Sequence, residues 1–466
     1  MIARTAEAFH TARVPGLAEG PELALRATFA YVFGKCKKGL LVQYRQGILV
    51  RFVPFDNEQF ENEFSYHLLA PPPYGKDVVS YVQQLQKGRV PQPILSDPRR
   101  WYANGGLIRF EVVDTLAPHN LGALESMLRA LTGVPDCDWF VNRRDFPLVT
   151  RAGPFEPYDQ WWGEHPVVSH ADVADHGRCV VASMCTSPRF RDLAMPTYED
   201  WTRVLFNENP SGPEFADSRR GRTLVVEFDT VPWSRRAARA VFRGASTGLG
   251  VTREDNMRLK AAHLSVAHPR ELDAGITQWN TRPRKRAGVP ALATIRPRMH
   301  PPLRPYQSLV DQARGAKYLL HLDGHTAAHR LSLELRSGSV VLLPDSPWRL
   351  WFQPWLVPFV HYVPVRQDLG DLIARIEWCR AHDSDCEAIV NRARRFYDTF
   401  LTRDGCLSYL RGVARLAALG DVLVCPAAVL DHAWHHKGRV EEATWELLST
   451  AFEAPWRSWI EFSRVQ

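Results

Sequence analysis

Asp145 stands directly after a short apolar run, Trp139 to Val141, in the segment Asn142, Arg143, Arg144, Asp145, Phe146, Pro147. A carboxylate just past the carboxyl end of a strand is where α/β proteins place their chemistry. On these residues alone the plainer role stays open: Asp145 pairs with Arg143 or Arg144, or caps a turn. A second set follows the run Ala240 to Phe242. There Arg243, Gly244, Ser246 and Thr247 can hold phosphate oxygens, because glycine lets the backbone approach while guanidinium, hydroxyls and amides donate. The pattern is neither a P-loop nor a dinucleotide fingerprint. A third set lies between Lys317 and Phe352. A strand from Tyr318 to Leu322 ends at Asp323 and Gly324, and the spacing of Ala327, Ala328, Leu331, Leu333 and Leu335 predicts a helix;. Free N–H groups at its start, His325 to Ala328, with Arg330 about one turn in, would form a phosphate site. A second strand, Gly338 to Leu343, closes at the turn Pro344 to Pro347;.

Other clusters carry weaker chemistry. Residues 154–201 are crowded with aromatics and carboxylates, which suits a sugar or peptide acceptor, although Trp161, Trp162, Tyr198 and Trp201 fit a core equally well;. His321, His325 and His329 look like a metal-binding ladder, yet Gly324 breaks strand from helix, so the three do not share a helical face;. His432, His435 and His436 read as a surface turn. The basic, proline-rich stretch from Gln278 to Arg298 lacks the aromatic interleaving of a nucleic-acid site and reads as a solvated loop;.

These candidates need elements to hold them. The 466 residues, 45% apolar and 23% charged, suit a soluble globular chain of about two or three domains;. Lys plus Arg exceed Asp plus Glu by 58 to 51, a net charge of +7 that fits a nucleotide sugar, an acidic glycan, nucleic acid or merely a basic surface;. Eight scattered cysteines form no CxxC pair, which argues against zinc and for buried thiols; Cys379 and Cys386 lie two turns apart on an expected helix;. The first residues lack a signal-peptide core, the last four, SRVQ, are no retention tail, and no apolar run of about eighteen residues occurs;. The expectation is a cytoplasmic chain without a membrane span. Residues 1–115 read as β-rich, Leu121 to Leu131 as an amphipathic helix ending at Gly133, and Leu224 to Phe228 as a strand before a boundary near 230;. A strand and a helix, about Arg253 to Leu264, follow, and the chain after Ile376 is helical;.

The order DG, AAHR, SGSVVL, DSPWRLWF, PFVHYVPVRQDLGDL and IEWCRAHD between Asp323 and Asp383 resembles the carboxy-terminal half of glycosyltransferase family 90. That family includes protein O-glucosyltransferases and capsule-associated xylosyltransferases. NRRDFP resembles the family's NxRDxP motif, whose aspartate is the proposed catalytic base, and the resemblance implies that role for Asp145. The segment from Arg191 to Trp201 is similar to the DIxxP element of the acceptor groove, with Asp192 and Pro196 at the matching positions and Trp201 beside them. FRGAST resembles the FRGSxT donor loop, with Ala245 in place of the first serine. The resemblance implies a glycosyltransferase B fold: two Rossmann-like domains facing a central cleft, with a β-rich start. The segments would be 1–115, 116–230 with base and acceptor groove, 231–415 with the nucleotide site, and 416–466 as helices packing back on the first domain. It implies an inverting, metal-independent transfer of glucose or xylose from a UDP-sugar to a glycan or protein hydroxyl, with no cofactor. The donor would be held by Arg243, Gly244, Ala245, Ser246, Thr247, Gly324, His325, Thr326, Ala327, Ala328, His329 and Arg330. The missing secretory signals resemble cytoplasmic members from large DNA viruses and some microbes. A lapsed nucleotide- or glycan-binding protein, or a basic nucleic-acid partner, is the alternative reading.

Overall fold

A computed structural model of the chain describes residues 38–57, 100–103, 106–109, 118–149, 179–208, 231–281, 284–285, 292–418, 441–458 and 460, together with 28, 32 and 228. The expectations for Trp161, Trp162, the strand from Leu224, and His432, His435 and His436 lie outside the described residues. These residues form two compact units, one drawn from 1–195 and 410–426, the other from 196–409 and 427–466. Each is an α/β assembly.

The first unit is built on a seven-stranded sheet. Its strands are β1 (Lys38–Arg45), β2 (Ile48–Asn57), β3 (Arg100–Ala103), β4 (Gly106–Arg109), β5 (Cys137–Asn142), β6 (Val180–Ser183) and β7 (Leu193–Ala194), in the order β3-β4-β2-β1-β5-β6-β7. Gln46 and Gly47, at φ 52° and 78°, make the tight turn joining β1 to β2; such paired positive φ values match the right-handed twist of a hairpin;. β1 is antiparallel to both neighbours, whereas β5, β6 and β7 run parallel. The β5–β7 run therefore has all its carboxyl ends on one edge. Helix α1 (Pro118–Ala130) packs Leu124, Met127 and Leu128 inward at helical spacing, and the buried Tyr44 hydroxyl ties β1 to the Leu128 carbonyl at 2.7 Å;.

The second unit opens with α2 (Tyr198–Glu208) and centres on a five-stranded sheet that is parallel throughout. In chain order it comprises β8 (Ala237–Ala245), α3 (Met257–Ala267), β9 (Leu272–Gln278), the small pair β10 (Arg284–Lys285) and β11 (Leu292–Ala293), α4 (Leu309–Gly315), β12 (Ala316–Leu320), α5 (Leu331–Arg336), β13 (Val340–Pro344), β14 (Val363–Val365), α6 (Leu372–Ala381), α7 (Asp383–Phe400), α8 (Arg403–Ala418) and α9 (Glu442–Ala451). The sheet order is β14-β13-β12-β8-β9. Alternate residues face opposite layers: Ala240, Phe242, Tyr318 and Leu320 pack toward α6 and α7, while Val241 and Leu319 pack toward α4;. Residues 410–418 of α8 belong to the first unit's contacts.

One expected element is corrected. The helix after β12 starts at Leu331 and has six residues, so His325 to Ala328 are not a helix start. The Asp323 carboxylate accepts the Ala328 N–H at 3.0 Å, and the Gly324 N–H donates to the Thr326 carbonyl at 2.9 Å. These local bonds compete with the helix and replace its first turn. The six described cysteines are free thiols, and Cys386 donates to the Cys379 carbonyl within α6. Among the described residues, no helix is long and apolar enough to cross a membrane.

Candidate functional site

In the first unit, β5 delivers Asp145 onto a loop at the carboxyl edge of the three parallel strands. Asp145 is exposed, and among the described residues no ion pair engages its carboxylate, so the pairing with Arg143 or Arg144 is not made. The loop beneath it is tightly bonded. Asn142 donates to the Phe146 carbonyl at 2.5 Å and accepts the Arg144 N–H at 2.7 Å. The residues expected to meet an acceptor are placed differently. Asp192 is completely buried and accepts the N–H groups of Leu148 and Val149 at 2.6 and 2.7 Å and the Ser183 hydroxyl at 2.7 Å. Burial pushes its carboxyl up to about 6, against the lowering pull of those donors;. Pro196 is buried, and Trp201 is fully buried with the Arg403 guanidinium 5.0 Å from its ring centre. All three are buried within the fold.

In the second unit the chain leaves β8 for β9 on one side and β12 lies on the other, which makes the gap between the ends of β8 and β12 a topological switch point;. The two segments expected to hold the donor meet there. A side chain on Gly244 would crowd the Phe242 ring at 2.9 Å, and one on Gly324 would approach Thr247 Oγ1 at 3.2 Å. Arg258, which the sequence reading missed, clasps the two strand ends. Its Nε donates to the Asp323 carbonyl at 2.7 Å and Nη2 to Leu322 at 2.9 Å, while Nη1 reaches the Ala245 carbonyl at 3.0 Å and Thr247 Oγ1 at 2.6 Å. The sequence signal was an arginine beside Leu259, Ala261 and Ala262 on a helix whose cap, Asn256, accepts from Arg258 and Leu259;.

The expected donor residues divide by exposure. Gly244, Ala245, Thr247, Gly324, His325, Ala328, His329 and Arg330 stay partly accessible. Arg243, Ser246, Thr326 and Ala327 are buried. The Arg243 guanidinium is bound to Asp273, by Oδ1 at 2.9 Å and the carbonyl at 2.6 Å, so it braces β8 against β9. The Ser246 hydroxyl accepts the Asn280 N–H at 2.8 Å. Arg330 lies over the Phe242 ring at 4.8 Å, donates Nη1 to the Arg243 carbonyl at 3.1 Å and sits 2.9 Å from Glu334 Oε1, a contact without the alignment of a hydrogen bond. The three histidines diverge. His321 is buried at 2.6 Å from Glu334 and 3.6 Å from Asp323, His325 Nδ1 lies 3.0 Å from the Gly248 carbonyl, and His329 lies 4.0 Å from Glu199.

Charge under this site is unbalanced. Burial alone would lower His321, but Glu334 and Asp323 hold it up at about 9, so it carries a proton at neutral pH. Burial, with Arg330 nearby, brings Arg258 down to about 9. Among the described residues, Arg258, Arg330 and His321 gather around Asp323 and Glu334, three cations to two carboxylates. A cavity of about 670 Å³ opens nearby, lined by Asn256, Lys260, Asp345, Arg366, Asp368 and Arg375, a size that accommodates a nucleotide-scale ligand;.

One unit has a parallel sheet with a cationic, glycine-lined switch point and the other bears an exposed strand-end aspartate, which together define an α/β protein of two units. The chain belongs to glycosyl transferase family 90, which it matches over residues 115–414. It is 38% identical over 406 residues to uncharacterized protein 035R of Invertebrate iridescent virus 3, covering 82% of this chain and 35% of that protein. It is 37% identical over 389 residues to uncharacterized protein 027R of Frog virus 3, covering 78% and 39%. Protein O-glucosyltransferase 2 of Danio rerio is 28% identical over 290 residues, 61% of this chain and 48% of that protein. The chain spans between a third and a half of the length of these relatives.

Proposed function

We propose that this chain is an inverting, metal-independent glycosyltransferase that moves glucose or xylose from a UDP-sugar to a hydroxyl of a glycan or protein. The observation that carries the reading is the family match across both the Asp145 loop and the strand-end switch point. In this reading the acceptor oxygen attacks the anomeric carbon from the face opposite the diphosphate. The new C–O bond forms as the bond to the diphosphate oxygen breaks, and the acceptor proton passes to Asp145. Negative charge gathers on the leaving oxygen. Arg330, the Thr247 hydroxyl and the loop amides, above the excess positive charge at Arg258 and His321, would receive it. Arg243 and Ser246 would act from beneath by fixing the loop. Asp192, Pro196 and Trp201 would shape the acceptor side only through the backbone they hold.

A hydrolysis screen with UDP-glucose and UDP-xylose, water standing in for the acceptor, tests the activity. Asp145→Asn should lower turnover at least a hundredfold while UDP binding, followed by calorimetry, stays within twofold of wild type; loss of one such transition-state contact is worth roughly 2 to 4 kcal/mol. Full turnover in Asp145→Asn would remove the base assignment, and failure of both sugars to react or bind would remove the donor class.

A further inference from the structure

The loop that carries Asp145 is anchored from below at both ends by a closed set of buried polar side chains. Asn142, at the end of β5, is fully buried and holds the loop's beginning through Phe146 and the Arg144 N–H. Ser183, at the end of β6, accepts from Asn142 Nδ2 at 3.0 Å and donates its own hydroxyl to Asp192 Oδ1 at 2.7 Å. Asp192 then receives the loop's far end, Leu148 N–H on Oδ1 and Val149 N–H on Oδ2. Two further bonds lock Asp192 in register: its carbonyl accepts the Thr186 hydroxyl at 2.9 Å, and the Arg191 N–H donates to the Val149 carbonyl at 2.7 Å. Between these anchors Phe146 to Val149 are buried and Asp145 is exposed.

We infer that Asp192 is a positioning residue for the transfer reaction: through Leu148 and Val149 its carboxylate fixes the loop that holds the Asp145 side chain outward. The inference rests on Asp145 being the base. Its chemical basis is the count of donors. Leu148, Val149 and Ser183 each point an N–H or O–H at Asp192, and a carboxylate answers all three because it has acceptors only. An asparagine has one acceptor oxygen and must turn an NH2 group toward a main-chain N–H. Burial raises the cost of keeping Asp192 ionised;. A neutral side chain would be easier to bury there, so the charged one is accounted for by the loop it organises.

The test compares wild type, Asp192→Asn, the milder Ser183→Ala and Asp145→Asn in the full chain. Amide hydrogen exchange is followed on a peptide spanning 143–149, with β1 as the internal reference, and hydrolysis is followed with whichever of UDP-glucose and UDP-xylose the wild type turns over faster. Asp192→Asn should speed exchange in the loop at least tenfold with β1 unchanged, and should lower kcat at least tenfold with KM for the UDP-sugar within twofold. Ser183→Ala should move both readouts in the same direction and less far. Unchanged exchange in Asp192→Asn overturns the proposal, as does faster exchange with kcat within twofold of wild type. If Asp145→Asn hydrolyses the sugar at the wild-type rate, the base reading fails, and the exchange measurement still decides whether Asp192 anchors the loop.

Discussion

Arg258 and Arg330 differ in what their charges are for. Arg258 is buried and gives its N–H groups to three carbonyls and one hydroxyl. Removing it leaves those buried acceptors without a donor, and each such loss costs about 1 to 3 kcal/mol, partly offset by relief of the buried charge. Arg330 keeps a quarter of its side chain exposed, and Glu334 retains His321 when it is gone. Arg258→Met should therefore lower unfolding free energy by about 2 to 4 kcal/mol in urea titrations, whereas Arg330→Ala should cost less than about 1.5 kcal/mol yet weaken UDP binding at least tenfold by calorimetry. Equal stability losses, or unaltered UDP affinity in Arg330→Ala, would contradict the division. At this scale the exposed place of Asp145 past β5 and that of Gly244 near the end of β8 were legible because position relative to a strand sufficed. The bracing of Arg243 was not legible because its partner Asp273, thirty residues on, lies on a neighbouring strand that no local pattern reveals. Arg258 was missed because its four acceptors come from two distant strand ends.

Strands were read more faithfully than the element after them. Trp139 to Val141 and Tyr318 to Leu322 were expected as strands, and β5 and β12 contain or overlap them, since continuous apolar runs suit strands buried on both faces;. The helix expected from Ala327 fails for a physical reason. Apolar spacing marks what is buried, and Ala327, Leu331, Leu333 and Leu335 are buried, but burial did not require residues 327–330 to be helical. Asp323 decides the matter by accepting the Ala328 N–H and by lying 3.6 Å from His321. Asp323→Ala should thus lower stability by about 1 to 3 kcal/mol, with Asp323→Asn recovering more than half of the loss because its carbonyl oxygen still accepts the Ala328 N–H. Denaturant midpoints of the three proteins at constant slope are the measurement; Asn no better than Ala would show that charge, not the hydrogen bond, sets the turn.

For the molecule as a whole, titration links the buried network to folding. His321 is raised to about 9 in the folded chain from an ordinary 6.5, so its contribution is complete below about pH 6.5 and is lost as pH rises through 9;. Asp323 and Glu334 are lowered by the same cluster, and their contribution holds above the usual carboxylate range and disappears in acid. His361 moves the other way from His321: burial beside Arg392 brings it down to about 4, so it favours folding above 6.5 and counts against it as pH falls toward 4. Asp192, raised to about 6, offsets a part of that acid loss. These signs place the best stability between about pH 6.5 and 8. The rise of His321 from 6.5 to about 9 corresponds to at most about 3 to 4 kcal/mol, and less once its coupling to Glu334 is shared;. Urea unfolding free energy should therefore fall by about 1 to 3 kcal/mol between pH 7 and 10. In the double variant His321→Gln with Glu334→Gln, which removes both charges and keeps a hydrogen-bonding pair, that alkaline fall should shrink to less than half. A wild type as stable at pH 10 as at pH 7, or a double variant with the full alkaline loss, would place the titrating group elsewhere and leave His321 without its assigned charge.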